Sequence, residues 1–172
     1  AGNDRLGVWI QLEAGMSKPI CLVTGVGPGT GSALVRCFAK DYEVAMIARD
    51  AERLAQLATA VPNAHSYPCN MVDSEAVSET LARIEKELGA PTVVVHNAVG
   101  GGIGAILSFE PRILARNFKL DTLALLRLIQ TGSPAMITPG GGAIIGTVQH
   151  SAFPGKADFP PIPPPKTAPP LL

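Results

Sequence analysis

Excess charge of either sign is the first thing this sequence lacks. Fourteen basic side chains balance fourteen acidic ones over 172 residues, so no net field draws the chain to nucleic acid or to an anionic membrane surface. That balance favours a small neutral or anionic ligand as the partner. Cysteine is scarce as well. Cys21, Cys37 and Cys69 are odd in number, far apart and without C-x-x-C spacing, which argues against a disulfide framework and against a zinc site. Long apolar runs are missing too: no stretch approaches the roughly eighteen consecutive apolar residues of a membrane span, and LGVWI (6–10) is too short for a secretory h-region. The expectation is a soluble, cytoplasmic protein with neither a membrane nor a nucleic acid as partner.

What the chain does have is apolar mass in a regular alternation. Hydrophobic residues make up 47% and charged ones 16% of it, enough for one domain with a sizeable core. Short β-rich runs are expected as strands at ICLVTG (20–25), EVAMIAR (43–49), HSYPCN (65–70), PTVVVHNA (91–98) and GGAIIGT (141–147). Between them lie runs with helical spacing at 32–42, 50–61, 73–89 and 111–132, the third opened by Asp73 or Ser74 and stopped by Gly89. Strand and helix in strict alternation predict right-handed crossovers and an α/β fold, a doubly wound parallel sheet of Rossmann-like type.

The ends differ from the middle. Residues 1–15 show no clear period and are expected to be an extension outside the fold, with the dinucleotide-binding domain at 16–153. Residues 154–172 hold eight of the sixteen prolines. Such a tail cannot continue a helix or a central strand, because each proline lacks an N–H and restricts its predecessor.

In LVTGVGPGTGSALV (22–35) four glycines crowd the turn from the first strand into the first helix. The G-x-G-x-x-G fingerprint fails in either register, meeting Thr30 or Ser32 where its last glycine belongs. T-G-x-x-x-G-x-G fits, as Thr24, Gly25, Gly29 and Gly31, with Gly27 and Thr30 inside it. Glycines here end a strand tightly, let backbone approach a pyrophosphate, and let the helix pack close with its free N–H groups toward the anion. An ordinary glycine-rich turn is the plain alternative. About twenty residues on, where an acid binds a ribose 2′-hydroxyl and an arginine a 2′-phosphate, stand Arg49 and then Asp50. Arg49 points to NADP, while Asp50 keeps NAD open.

TGVGPGTG, CNMVD and VVVHNAVGGG resemble, in order and spacing, the short-chain dehydrogenase/reductase family, over roughly residues 17–166. The resemblance implies a nicotinamide cofactor and a small carbonyl or alcohol substrate. It puts Asn70, where the family has an acid, and Met71 beside the adenine, and Asn97 and Ala98 beside the nicotinamide ribose. Two of the four N-N-A-G positions match, His96 and Val99 being the departures; His96 reads equally as a core histidine, and Asn97 as a cap on its strand. The family's helix asparagine, which holds a relay water, corresponds to Asp121, with Asn117 one turn earlier. Its substrate-orienting serine falls near Gln149, with Thr147 and Ser151 as hydroxyls, and Lys166 stands for the lysine that binds the ribose. Lys166, Ser151 and Asp121 are thus the catalytic candidates.

The tyrosine that serves the family as acid/base, four residues before Lys166, is Ile162 here, and an isoleucine has no proton to give. Pro163, Pro164 and Pro165 interrupt the helix that would pair the two. Tyr42 and Tyr67, the two tyrosines present, lie far from these segments and read as structural. The sequence stops at Leu172, before the last strands that the family carries, so the expected sheet is incomplete at the C-terminus. Three readings stay open: an oxidoreductase with a truncated or misread tail, a non-catalytic NAD(P)-binding sensor or interaction protein, and a fragment with no function of its own. The leucine-rich helix at 111–132 fits a homo-oligomer interface or plain core packing.

Overall fold

The computed structural model describes residues 18–102, 106–137 and 140–148. Five strands form one parallel sheet in the order β3-β2-β1-β4-β5, with β1 at Ile20–Thr24, β2 at Glu43–Ala48, β3 at Ala64–Pro68, β4 at Pro91–His96 and β5 at Ala143–Gly146. The helices are α1 (Thr30–Phe38), α2 (Ala51–Ala60), α3 (Ser74–Glu87), α4 (Pro111–Phe118) and α5 (Ala124–Ile137), with a π-turn at Lys119–Leu123 joining the last two. The inner strands β1, β2 and β4 are covered on both faces, so their successive side chains enter different layers, whereas β5 at the sheet edge is largely exposed. Cys21, Val23, Val44 and Met46 pack with Val35, Leu54 and Leu57 under α1 and α2. Leu22, Ala45, Ile47 and Val94 pack with Val77, Ile84 and Leu128 under α3 and α5.

The first helix starts earlier than its apolar spacing suggests and ends earlier, at Phe38. It ends there because the Asp41 and Tyr42 amides close a turn onto the Phe38 carbonyl and the Tyr42 ring meets Phe38 edge-on at 5.6 Å. The helix at 111–132 runs on to Ile137 through Pro134, which removes one backbone hydrogen bond. Met136 offsets that loss by burying its side chain beneath the sheet edge, with its methyl against Gly142. The third helix is capped by Asp73, whose carboxylate accepts the amides of Glu75 and Ala76, and Gly89 follows it at φ +112°. Residues 1–15 and the tail at 154–172 lie outside the described residues.

Two buried acids give the fold an alkaline limit. Burial pushes the Cys21 thiol from 9.0 up to about 12. Burial, then the hydrogen bond to Glu87 and the Glu87 charge, raise the Tyr67 phenol from 10.0 to about 12, and Arg83 opposes them. The folded chain thus keeps protons that the unfolded chain releases first. This contribution is complete below the unfolded values and drains away as pH climbs from about 9 through about 12. Denaturant titrations at stepped alkaline pH should show stability falling over that window, and Tyr67→Phe should flatten the upper part of the fall.

Candidate functional site

β1 pairs with β2 on one side and β4 on the other, so the chain leaves the sheet in opposite directions at the C-terminal ends of β1 and β4. A crevice opens there in sheets of this kind. In this chain it is a cavity of about 660 Å³, its walls including the glycine turn, Arg49, Asp50, Asn70, Met71, Asn97 and Ala98.

The turn's glycines divide into two pairs. Gly25 sits at φ +73°, and a Cβ on it would lie 2.4 Å from the Cα and N of Ala98; a Cβ on Gly31 would lie 2.5 Å from the Gly25 carbonyl oxygen. The fold itself requires those two. Gly27 and Gly29 have nothing within 4 Å of a Cβ, and both line the cavity. Nothing in the described protein needs the missing side chains, so the space fits a ligand brought against the backbone. Helix ends agree with it. Asp50 and Asp73 cap α2 and α3, whereas α1 starts from Gly29 with no side-chain cap and no acid in its first turn. The partial positive charge at that end is left for an anion.

Behind the cavity wall stands a hydrogen-bonded brace. Thr24 is fully buried and its hydroxyl meets His96 Nδ1 at 2.8 Å. His96 Nε2 lies 3.1 Å from the Leu120 carbonyl and 3.2 Å from that of Asp121, both in the π-turn. Two carbonyls require a donor, so the ring carries a proton on Nε2, and in the tautomer protonated there alone Nδ1 accepts the Thr24 hydroxyl. Asn97 donates to the Gly25 carbonyl, and the Thr147 hydroxyl donates to the Asn97 side-chain oxygen. Asp121, 1% exposed, accepts the Gly100 amide with its carboxylate.

Of the sequence-stated candidates, Gly25, Gly27, Gly29, Thr30, Gly31, Arg49, Asn70, Met71, Asn97 and Ala98 come together on the cavity wall. Thr24 and Asp121 do not reach it among the described residues; they stand behind it, one on each side of His96. Ser151, Ile162 and Lys166 lie outside the described residues, as does Gln149. Sequence reasoning missed Arg53, Cys69, Arg116 and Leu120, which also line the cavity. Arg53 is signalled by its position one turn into the helix after Arg49, and Arg116 and Leu120 by their i, i+4 spacing. Tyr67 is tied to Glu87 and lies away from the cavity.

A family model described as short chain dehydrogenase matches residues 19–160. The chain belongs to the short-chain dehydrogenase family. Curated relatives include 2,3-dihydro-2,3-dihydroxybenzoate dehydrogenase of Bacillus subtilis, 24% identical over 80% of this chain and 55% of the relative. A fatty acyl-CoA reductase of Mycobacterium tuberculosis is 32% identical over 72% of this chain and 45% of its own length. Among solved structures, a short-chain dehydrogenase from Streptomyces avermitilis superposes with a TM-score of 0.81 at 27% identity, covering 89% of this chain and 57% of that one. A xylitol dehydrogenase solved with NAD+ has the same TM-score, 0.81, at 23% identity, covering 90% and 62%, and supports the fold alone. The chain spans about half the length of the curated relatives it matches.

Proposed function

We propose that the chain binds NADP(H) in the cavity above β1 and β4, as the dinucleotide-binding part of an oxidoreductase acting on a small carbonyl or alcohol substrate. The observation that carries this reading is the pair Gly27 and Gly29, glycines that the described fold does not need, at the uncapped start of α1. Gly25, Gly27, Gly29, Thr30 and Gly31 hold the pyrophosphate; Arg49 takes the 2′-phosphate, and Asn70 and Met71 flank the adenine. Asn97 and Ala98 form the wall on the nicotinamide side, while Thr24 and Asp121 brace that wall from behind. Lys166 binds the ribose hydroxyls, and Ser151 orients the substrate carbonyl. When bound, the nicotinamide supplies or accepts the hydride. Ile162 in the acid's place leaves the chain as written without its usual proton donor, a device worth 10²- to 10⁴-fold in rate, so turnover is expected to be weak.

The test is binding. Titration with NADPH, followed by fluorescence and by melting temperature, should show saturable stabilisation of about 2.7 kcal/mol at a hundred times the Kd. Gly29→Ala and Gly27→Ala should leave the unliganded melting temperature close to that of the parent chain. Gly29→Ala should weaken NADPH at least about tenfold, since one methyl enters the space the pyrophosphate needs. Full NADPH affinity in both variants, or no NADPH binding by the folded parent, sinks the reading.

A further inference from the structure

Asn117, on α4, is a fully buried side chain whose hydrogen bonding is only half complete. At 0% exposure its Nδ2 donates to the Gly101 carbonyl at 3.3 Å, while its Oδ1 is buried without a hydrogen-bond partner among the described residues. Exchanging the amide's oxygen and nitrogen would set oxygen against the Gly101 carbonyl, so the nitrogen belongs on that side.

The backbone that Asn117 touches is the loop after β4, which runs from the cavity wall at Asn97, Ala98 and Val99 into Gly100, Gly101 and Gly102. A Cβ on Gly100 would overlap Asn117 Oδ1, so the spare acceptor lies beside the Gly100 Cα, one peptide from the Gly101 amide. Asp121, one turn further along, accepts the Gly100 amide at 3.0 Å. The Gly101 amide makes no hydrogen bond to protein among the described residues, and a Cβ on Gly101 would meet nothing within 4 Å. A peptide between two glycines turns with little steric resistance. Turned toward α4, this one brings its N–H to Oδ1, and Asn117 then pairs with both the N–H and the C=O of Gly101.

Stability alone does not account for an asparagine at this position. Leucine has nearly the same shape; it gives up one long hydrogen bond to an exposed residue and removes an orphaned buried acceptor, so the exchange costs the fold little or nothing. A buried polar group kept at such a disadvantage points to a task beyond folding. Val99 gives the loop a reason to respond to a ligand: it lines the cavity and is 53% exposed, so a molecule that covers it favours one loop arrangement over others.

On the dinucleotide reading of the cavity, we infer that Asn117 is a positioning residue for its nicotinamide half. It holds the Gly100–Gly101 backbone so that Ala98 and Val99 form that wall, and its spare acceptor takes the Gly101 amide when the nicotinamide is in place. Asn117 acts on loop backbone and not on the reacting atoms.

Nuclear magnetic resonance of the full chain reads the Gly101 amide directly. NADPH should slow its hydrogen exchange by about tenfold or more, whereas 2′,5′-ADP, which has no nicotinamide, should leave it unchanged. Asn117→Leu should melt at or above the parent temperature and keep its 2′,5′-ADP affinity within about twofold, while its NADPH affinity falls by about fivefold or more. The change in nicotinamide fluorescence on binding should be lost with it. A variant that is unfolded, or that weakens both ligands together, behaves as a merely structural change would and overturns the role of Asn117. Parental NADPH affinity in the variant, or unaltered Gly101 exchange in the NADPH-bound parent, overturns it as well. In each of these cases NADPH binding by the parent still supports the cavity. Failure of the folded parent to bind either ligand overturns the dinucleotide reading and this inference with it.

Discussion

Gly25→Ala should leave no stably folded chain. A methyl there meets the Cα and N of Ala98 at 2.4 Å and the Asn97 carbonyl carbon at 2.6 Å, all backbone atoms that no rotamer change can move aside. The residue also holds φ +73°, where an L side chain costs about 1–2 kcal/mol before any contact is counted. Relief requires the loop after β4 to withdraw from the turn after β1, and that breaks the Asn97 bond to the Gly25 carbonyl as well. Together these put the expected loss at about 4 kcal/mol or more, in the range reserved for broken cores and strained backbones. Urea titration by circular dichroism measures it directly. A variant with the parent midpoint would mean that the two loops do not touch in solution.

His96→Leu is the second large effect. Leucine nearly matches the ring's bulk but offers neither an acceptor to the Thr24 hydroxyl nor a donor to the Leu120 and Asp121 carbonyls. The Thr24 and His96 side chains are sealed from solvent, at 0% and 2% exposure, and the bond to the Leu120 carbonyl is part-buried. Leaving a buried polar group without its partner costs about 1–3 kcal/mol each, so a loss of about 3 kcal/mol or more is expected. His96→Asn should recover part of it. The shorter amide still reaches Thr24 from β4 but falls short of the π-turn. Amide hydrogen exchange distinguishes the two ends of the brace: faster exchange through Lys119–Ala124 in both variants, and around Thr24 in the leucine variant alone. Unaltered exchange at the π-turn in His96→Leu would show that the helix keeps its register without the histidine.

The layered sheet was legible because its signals are local. Five β-rich runs in alternation with helical spacing force parallel strands and right-handed crossovers whatever the details, and a Gly-rich first turn marks the end where the crevice opens. Helix bounds were less legible. Pro134 stops a helix in isolation, and only the burial of Met136 under Gly142, a contact made across the sheet edge, carries it through to Ile137.

The site divides along the same line. The sequence by itself determined that glycines crowd the first turn, that an arginine and an aspartate follow β2, and that an isoleucine stands four residues before Lys166, since each is a matter of residue type at a spacing along one segment. Only the tertiary structure decided that Gly25 and Gly31 belong to the fold while Gly27 and Gly29 are left open, because that depends on whether Ala98, some seventy residues away, crowds the turn. It also decided that Thr24 serves His96 rather than the cavity, and that Asp50 is held to α2 by Arg53. Hydrogen bonds and close contacts act over about 3–4 Å in space, and the sequence orders residues only along the chain.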